Sequence, residues 1–280
     1  MTVWEAILLG VVQGLTEFLP ISSTAHLVVV RKWLEHPTPN DAFTTAIQLG
    51  TLIAVVLYFR KDIIRLLQAF LHDRFAFAPN ASSDSVLCWK IVVGTIPAVV
   101  VGLLAKDFIK ERLYTLQVMG LAAIFFALLM LVAELIAYRR QQRGTLGRNE
   151  GDIRWMDALF IGCFQAFALI PGGSRSGCTI TAALIIGLAR PTAARFSFLI
   201  SLPTILGAGL YESYSERHEL FAAQSQLTNL LIGSLVAALV GYLSIAWLLK
   251  FLRTHSMSVF VGYRIGLGAL LLYLSYRYAI

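Results

Sequence analysis

Two polar segments, each broken by proline and glycine, lie inside otherwise hydrophobic sequence. One runs Gln13-Gly-Leu-Thr-Glu17-Phe-Leu-Pro20-Ile-Ser22-Ser23-Thr24-Ala-His26, the other Pro171-Gly-Gly-Ser-Arg175-Ser-Gly-Cys-Thr179. A charged side chain in hydrocarbon costs about 2.5–3.5 kcal/mol or more. Glu17, His26 and Arg175 therefore mark a functional site by default. Backbone broken at membrane depth is tolerated only where protein or a water-filled cavity satisfies it. Together these facts restrict the chain to a membrane fold built around a polar centre.

The surroundings justify reading the chain as membrane-embedded. It has 280 residues, 58% hydrophobic and 14% charged, whereas soluble domains carry about 25% charge. Mean hydropathy is +0.73, and several apolar runs reach the roughly 20 residues that cross a bilayer. These runs cover about 4–30, 42–59, 87–105, 114–138, 155–190, 194–212, 227–250 and 257–278. The net charge of +7 is spread over short loops, which is how charge sets membrane topology and not how a nucleic-acid patch looks. No nucleic-acid partner is expected. Cys88, Cys163 and Cys178 lack metal spacing and read as small packing residues. The first apolar stretch has no basic region and cleavage site before it and is expected to be retained.

Self-similarity supplies the organisation. Ala6-x-x-Leu9-Gly10-x-x-Gln13 matches Ala158-x-x-Ile161-Gly162-x-x-Gln165, with Trp4 and Trp155 ahead of them. The stretch Phe43–Ala54 resembles Phe196–Gly207, and Gly94–Gly102 resembles Gly233–Gly241, in the same order. The expected fold is an all-α polytopic membrane protein of two inverted repeats, each a re-entrant helix-loop-helix plus three transmembrane helices. Residues 1–140 form the first repeat, 141–154 a flexible cytoplasmic linker and 155–280 the second, inverted repeat. Three spans are an odd number, so the copies are inverted and their re-entrant loops meet near mid-membrane, where such folds place their binding sites. With the first motif opening outward, inside segments hold about twice as many Lys and Arg as outside ones, as the positive-inside rule requires. The loop around 212–219, with Glu212, Glu216 and Glu219, then lies outside.

The chemistry of the motifs points to an anion. Gly172, Gly173 and Gly177 let backbone N–H groups approach a ligand closely, while Ser174, Ser176 and Thr179 add hydroxyl donors. Arg175 adds a planar fork suited to phosphate, and a helix starting near Ser176 would aim its dipole at the same anion. Gln13 and Glu17 share a helical face, and Pro20 ends that helix before Ser22, Ser23, Thr24 and His26. Glu17 can hold a divalent metal or act as a base, Ser23 can be a nucleophile, and His26 can shuttle a proton. Ser22 and Thr24 suit helix capping equally well. Phosphoserine, phosphohistidine and direct water attack are all open. The assignment taken forward is Ser23 as nucleophile with His26 as acid/base.

These motifs resemble the bacterial undecaprenyl-diphosphatase (bacitracin-resistance) family. That family's first motif is Glu or Gln, three residues, then Glu; its second is Pro-Gly-x-Ser-Arg-Ser-x-x-Thr. The resemblance extends over nearly the whole chain. It implies an integral enzyme of the bacterial plasma (inner) membrane that removes the terminal phosphate of undecaprenyl diphosphate, recycling the lipid carrier of peptidoglycan synthesis and conferring bacitracin resistance. It implies Glu17, Ser23, His26 and Arg175 as catalytic residues, and a divalent cation, Mg2+ or Ca2+, with Glu17 its ligand and no organic cofactor. Gln13, Ser22, Thr24, Gly173, Ser174, Ser176, Thr179 and Arg264 would contact the substrate, on a site open to the periplasmic side. Gln13 leaves Glu17 as the sole acid of its pair. The expected partners are the polyprenyl diphosphate and membrane lipids, and a homodimer is left open. The competing reading is a polyprenyl-phosphate transporter or flippase using the same mid-membrane anion site. A carrier needs Arg175 but not a nucleophile beside a proton shuttle, so the Ser23, His26 and Glu17 cluster favours the enzyme.

Overall fold

In a computed structural model, residues 1–35, 42–73, 82–215 and 224–278 are described. Their regular structure is helical: α1 Val3–Phe18, α2 Ser23–Trp33, α3 Ala42–Tyr58, α4 Arg60–His72, α5 Ser83–Leu104, α6 Lys106–Phe108, α7 Leu116–Gln142, α8 Trp155–Phe167, α9 Arg175–Ile185, α10 Arg190–Ser215, α11 Gln224–Phe251 and α12 Ser258–Tyr278. No strand occurs among the described residues, only an isolated bridge between Arg148 and Leu188. Five helices, α5, α7, α10, α11 and α12, are long and apolar enough to cross a bilayer. The sixth expected span, α3, has 17 residues and reaches about 25 Å at 1.5 Å per residue, somewhat short of a 30 Å hydrocarbon core. Residues 216–223, with Glu216 and Glu219 of the outer-loop argument, lie outside the described residues.

The exterior of the spans is apolar. Leu103, Leu104, Leu235 and Leu239 are 72%, 84%, 68% and 65% exposed, while Gln13, Thr51, Thr179 and Arg264 are fully buried. An apolar outside around a polar inside needs lipid as its solvent. The molecule is a multi-pass, all-α membrane protein.

Both polar motifs form a helix–turn–helix: α1 and α2 around Leu19–Ser22, and α8 and α9 around residues 168–174. Their arms have 16, 11, 13 and 11 residues, each below the roughly 20 needed to cross. Pro20 and the Gly172-Gly173 pair break the helices where the sequence says they should. The start of α1 is fixed by a capping box in which Thr2 accepts from the Glu5 amide and Glu5 accepts from Thr2.

The helices that the sequence matches pair crosswise. α1 packs along α11, and α8 packs along α5. Each crossing is closed by glycine: a Cβ on Gly10 would sit 2.5 Å from the Gly233 carbonyl oxygen, and one on Gly162 would sit 2.1 Å from that of Gly94. Small residues at such crossings allow the close backbone approach by which membrane helices associate. The glycines aligned in the repeat search are thus the ones that touch.

Two features differ from the sequence reading. α4, which lies between the apolar runs read from the sequence, is an amphipathic surface helix, with Leu66 buried and Ile64, Leu67 and Leu71 outward among Arg60, Lys61 and Arg65. Its charges hid the helical period. The segment after α7 is not a free linker. Arg148 donates to Gly187 O at 2.9 Å through its backbone and to Asp157 at 2.9 Å through its side chain. Glu150 accepts from Arg195 at 2.9 Å. Arg148, which also donates to Ile186 O at 2.8 Å, ties the segment to the end of α9, and Glu150 ties it to α10.

Candidate active site

The two turns meet, and their functional side chains meet with them. Glu17 closes α1, is 8% exposed, and gathers three donors. Arg175, first residue of α9, donates an Nη2–H to its Oε1 at 2.6 Å. Ser23, first residue of α2, donates to its Oε2 at 2.6 Å, and the Gln13 amide donates to the same oxygen at 3.0 Å. The four-residue spacing of Gln13 and Glu17 makes that last bond possible. The carboxylate–guanidinium contact joins the halves of the chain across 158 residues.

Backbone geometry is shared between the turns. Ser22 has φ 74° and Ser174 has φ 66°, each as the residue immediately before the second helix of its pair. A serine held there costs of order 1–3 kcal/mol, the kind of strain that collects at functional sites. The Ser174 hydroxyl accepts from the Gly177 amide at 3.2 Å and lies 3.3 Å from Ser176 Oγ. Ser176 in turn donates to Leu19 O of the first turn at 3.1 Å. Thr179 donates to Arg175 O at 2.8 Å and shares a hydrogen bond with Ser197. Thr24 is half-buried in the first turn of α2.

Arg264 is fully buried in α12. Its guanidinium donates to Pro20 O at 3.2 Å in the first turn and to Gly172 O and Gly173 O at 3.1 and 2.9 Å in the second. A fourth bond reaches Ala123 O at 3.3 Å. This cation braces both turns through their carbonyls. Gly172, at φ 93°, allows it: a Cβ there would lie 2.4 Å from Met119 O.

The two ring nitrogens of His26 are taken by groups other than Ser23. Nδ1 lies 2.7 Å from Ser22 O and Nε2 lies 2.5 Å from the Tyr263 hydroxyl. The proton acceptor in contact with Ser23 is Glu17. The sequence reading gathered Glu17, Ser23 and His26 from one turn but had no means of telling which pairs touch.

A small cleft opens at the Glu17–Arg175 contact, lined also by Phe18, Ser176, Ser197, Phe198, Ser201 and Ile205. Ser197 and Ser201 of α10 were missed as site residues. Their signal was two hydroxyls four apart, on one face of an apolar span. Glu17 is the cleft's sole carboxylate, and no three His, Cys, Asp or Glu side chains gather into a metal-binding group among the described residues. One carboxylate and neighbouring hydroxyls do not cage a cation. They fit a hard ion that takes its remaining oxygens from phosphate and water, as Mg2+ commonly does.

Short helices turning back at a polar centre, an arginine at a helix start and hydroxyls around a cleft define a multi-pass membrane protein with a buried polar site where its two turns meet. Residues 6–270 match the family model described as bacitracin resistance protein BacA, and the chain belongs to that family. It is 47% identical over 272 residues to an undecaprenyl-diphosphatase of Prosthecochloris aestuarii, covering 97% of this chain and 96% of the relative. A protein of the same name from Chlorobium phaeobacteroides is 47% identical over 268 residues, with 96% and 95% covered. One from Chlorobaculum tepidum is 44% identical over the same length and coverage.

Proposed function

We propose that this protein hydrolyses undecaprenyl diphosphate to undecaprenyl phosphate and inorganic phosphate, returning the lipid carrier to peptidoglycan synthesis and conferring bacitracin resistance. The observation that carries the reading is the contact of Ser23 and Arg175 with one carboxylate, Glu17, each at 2.6 Å. A nucleophile beside a base and a phosphate-binding fork is more than a carrier requires.

The isoprenoid tail stays in lipid while the diphosphate enters the cleft. Arg175 turns its fork to the terminal phosphate, which releases the Glu17 carboxylate to take the Ser23 proton. Ser23 Oγ then bonds to the terminal phosphorus as the bond to the bridging oxygen breaks. The lipid leaves as its monophosphate. Water next displaces Ser23 from phosphorus, giving inorganic phosphate and restoring the serine proton. Arg175, Ser174, Ser176 and the α9 amides bear the negative charge that builds on the phosphoryl oxygens. Gln13 holds Glu17 in place, and Arg264 holds the two turns against each other. A divalent cation, Mg2+ or Ca2+, would rest on Glu17 and, when bound, would neutralise further phosphate charge.

The same reading gives the chain two inverted halves, 1–140 and 155–280, joined by a cytoplasmic segment. The crosswise glycine contacts and the matched turns support it. Loop charge supports a site in the bacterial plasma membrane that opens to the periplasmic side.

The test is rapid quenching of purified protein with undecaprenyl diphosphate labelled in the terminal phosphate, with and without Mg2+. Label attached to the wild type and absent from Ser23→Ala is the expected result. Release of phosphate without protein-bound label would replace Ser23 by water as the attacking group. Lipid bound but never cleaved by folded protein would turn the reading to a carrier.

A further inference from the structure

We infer that Tyr263 takes part in this reaction through His26, as the donor to its ring. The inference rests on the function proposed above and adds a group to it. It begins with the proton on the His26 ring. Nδ1 lies 2.7 Å from the Ser22 carbonyl oxygen, and a carbonyl can only accept, so Nδ1 carries the proton. Nε2 of the neutral ring is then a bare acceptor. The group facing it at 2.5 Å is the Tyr263 hydroxyl, which must be the donor. The rings also stack, with centroids 5.6 Å apart and planes within 10°. Tyr263 therefore fixes both the ring's plane and the occupant of its reactive nitrogen.

The bond spans 237 residues, from α2 to α12. A phenylalanine would fill the same space. The next residue, Arg264, grips the carbonyls of Pro20, Gly172 and Gly173. Two successive residues of α12 thus hold the first turn, one by its backbone and one by its histidine. The Ser23 proton goes to Glu17, which leaves the His26–Tyr263 pair for a second proton, exchanged with the water or phosphate hydroxyl of the later steps. The phenol oxygen keeps lone pairs, so it can accept one proton while passing its own to Nε2. The balance is one proton in and one out.

The kinetic test compares wild type, Tyr263→Phe, His26→Ala and the double variant, by phosphate release from undecaprenyl diphosphate. Tyr263→Phe is expected to lower kcat about tenfold with KM within about twofold, a fraction of a full acid–base contribution. In the His26→Ala background it should change nothing further, because its effect passes through His26. Unchanged kcat in Tyr263→Phe, or losses that multiply in the double variant, would overturn the inference. The second arm is nitrogen NMR of wild type labelled in the histidine rings. It should find His26 protonated at Nδ1, with Nε2 an acceptor that loses its hydrogen bond in Tyr263→Phe. A proton on Nε2 would overturn the inference. If wild type releases no phosphate, the proposed function fails, while this spectrum still decides whether Tyr263 donates to His26.

Discussion

The two turns are alike in backbone and opposite in chemistry. Each ends on a serine with positive φ, Ser22 or Ser174, and each launches a short helix from the next residue. At that next position the first turn has Ser23 and the second Arg175. Four residues after Gln13 stands Glu17, whereas four after the matching Gln165 stands Leu169. One turn carries a carboxylate and a serine hydroxyl, the other a guanidinium. Two turns of like backbone set their helix starts face to face, and different residues at a few positions make the pair asymmetric. Such asymmetry suits phosphoryl transfer, which needs a base on one side and positive charge on the other.

Removing the guanidinium should have the largest effect. Arg175→Ala is expected to lower the hydrolysis rate by about 10²–10³, or about 2.7–4 kcal/mol of transition-state stabilisation, as read by phosphate release. A near-wild-type rate would remove the second turn from the chemistry. Arg264→Met should cost about 2–3 kcal/mol of stability, because it strips a buried donor from carbonyls in both turns; a thermal unfolding shift in detergent reports it.

The crosswise architecture has its own test. Gly10→Val and Gly162→Val each force a branched side chain against a carbonyl oxygen, and each should destabilise by about 1–3 kcal/mol. Tolerance at one site and not the other would break the correspondence between halves. The smallest effect separates the serines. Ser174→Ala removes the acceptor of the Gly177 amide and should cost about 1 kcal/mol. Ser22, whose side chain makes no capping bond, should change stability by less than about 0.5 kcal/mol on replacement by alanine.

Much of this was legible in sequence because lipid makes polar residues conspicuous. Glu17 and Arg175 stood out as charges within apolar runs, and Pro20 and Gly172 marked the breaks. Gly10, Gly94, Gly162 and Gly233 were visible as repeats, though not as contacts. What sequence could not supply was orientation within a turn. His26 follows Ser23 by three residues yet turns to Tyr263, and Ser23 turns back to Glu17, because the reversal after Pro20 sends adjacent side chains to different neighbours. Arg264 likewise reads as a ligand for phosphate until its carbonyl partners are seen. Ser197 and Ser201 were overlooked because hydroxyls in apolar helices commonly bond their own backbone, as Ser201 does with Phe198 O at 2.8 Å.

The central claim is that the two turns act as one catalytic unit through Glu17 and Arg175. The most direct measurement is the rate of phosphate release from undecaprenyl diphosphate by wild type, Glu17→Gln, Arg175→Ala and the double variant. If the pair works as a unit, the double variant will be within about threefold of the slower single variant, because residues of one catalytic assembly lose their effects together and not additively. Losses that multiply, to about 10⁴ or more from two single losses of about 10², would mean that the turns act independently and would contradict the account.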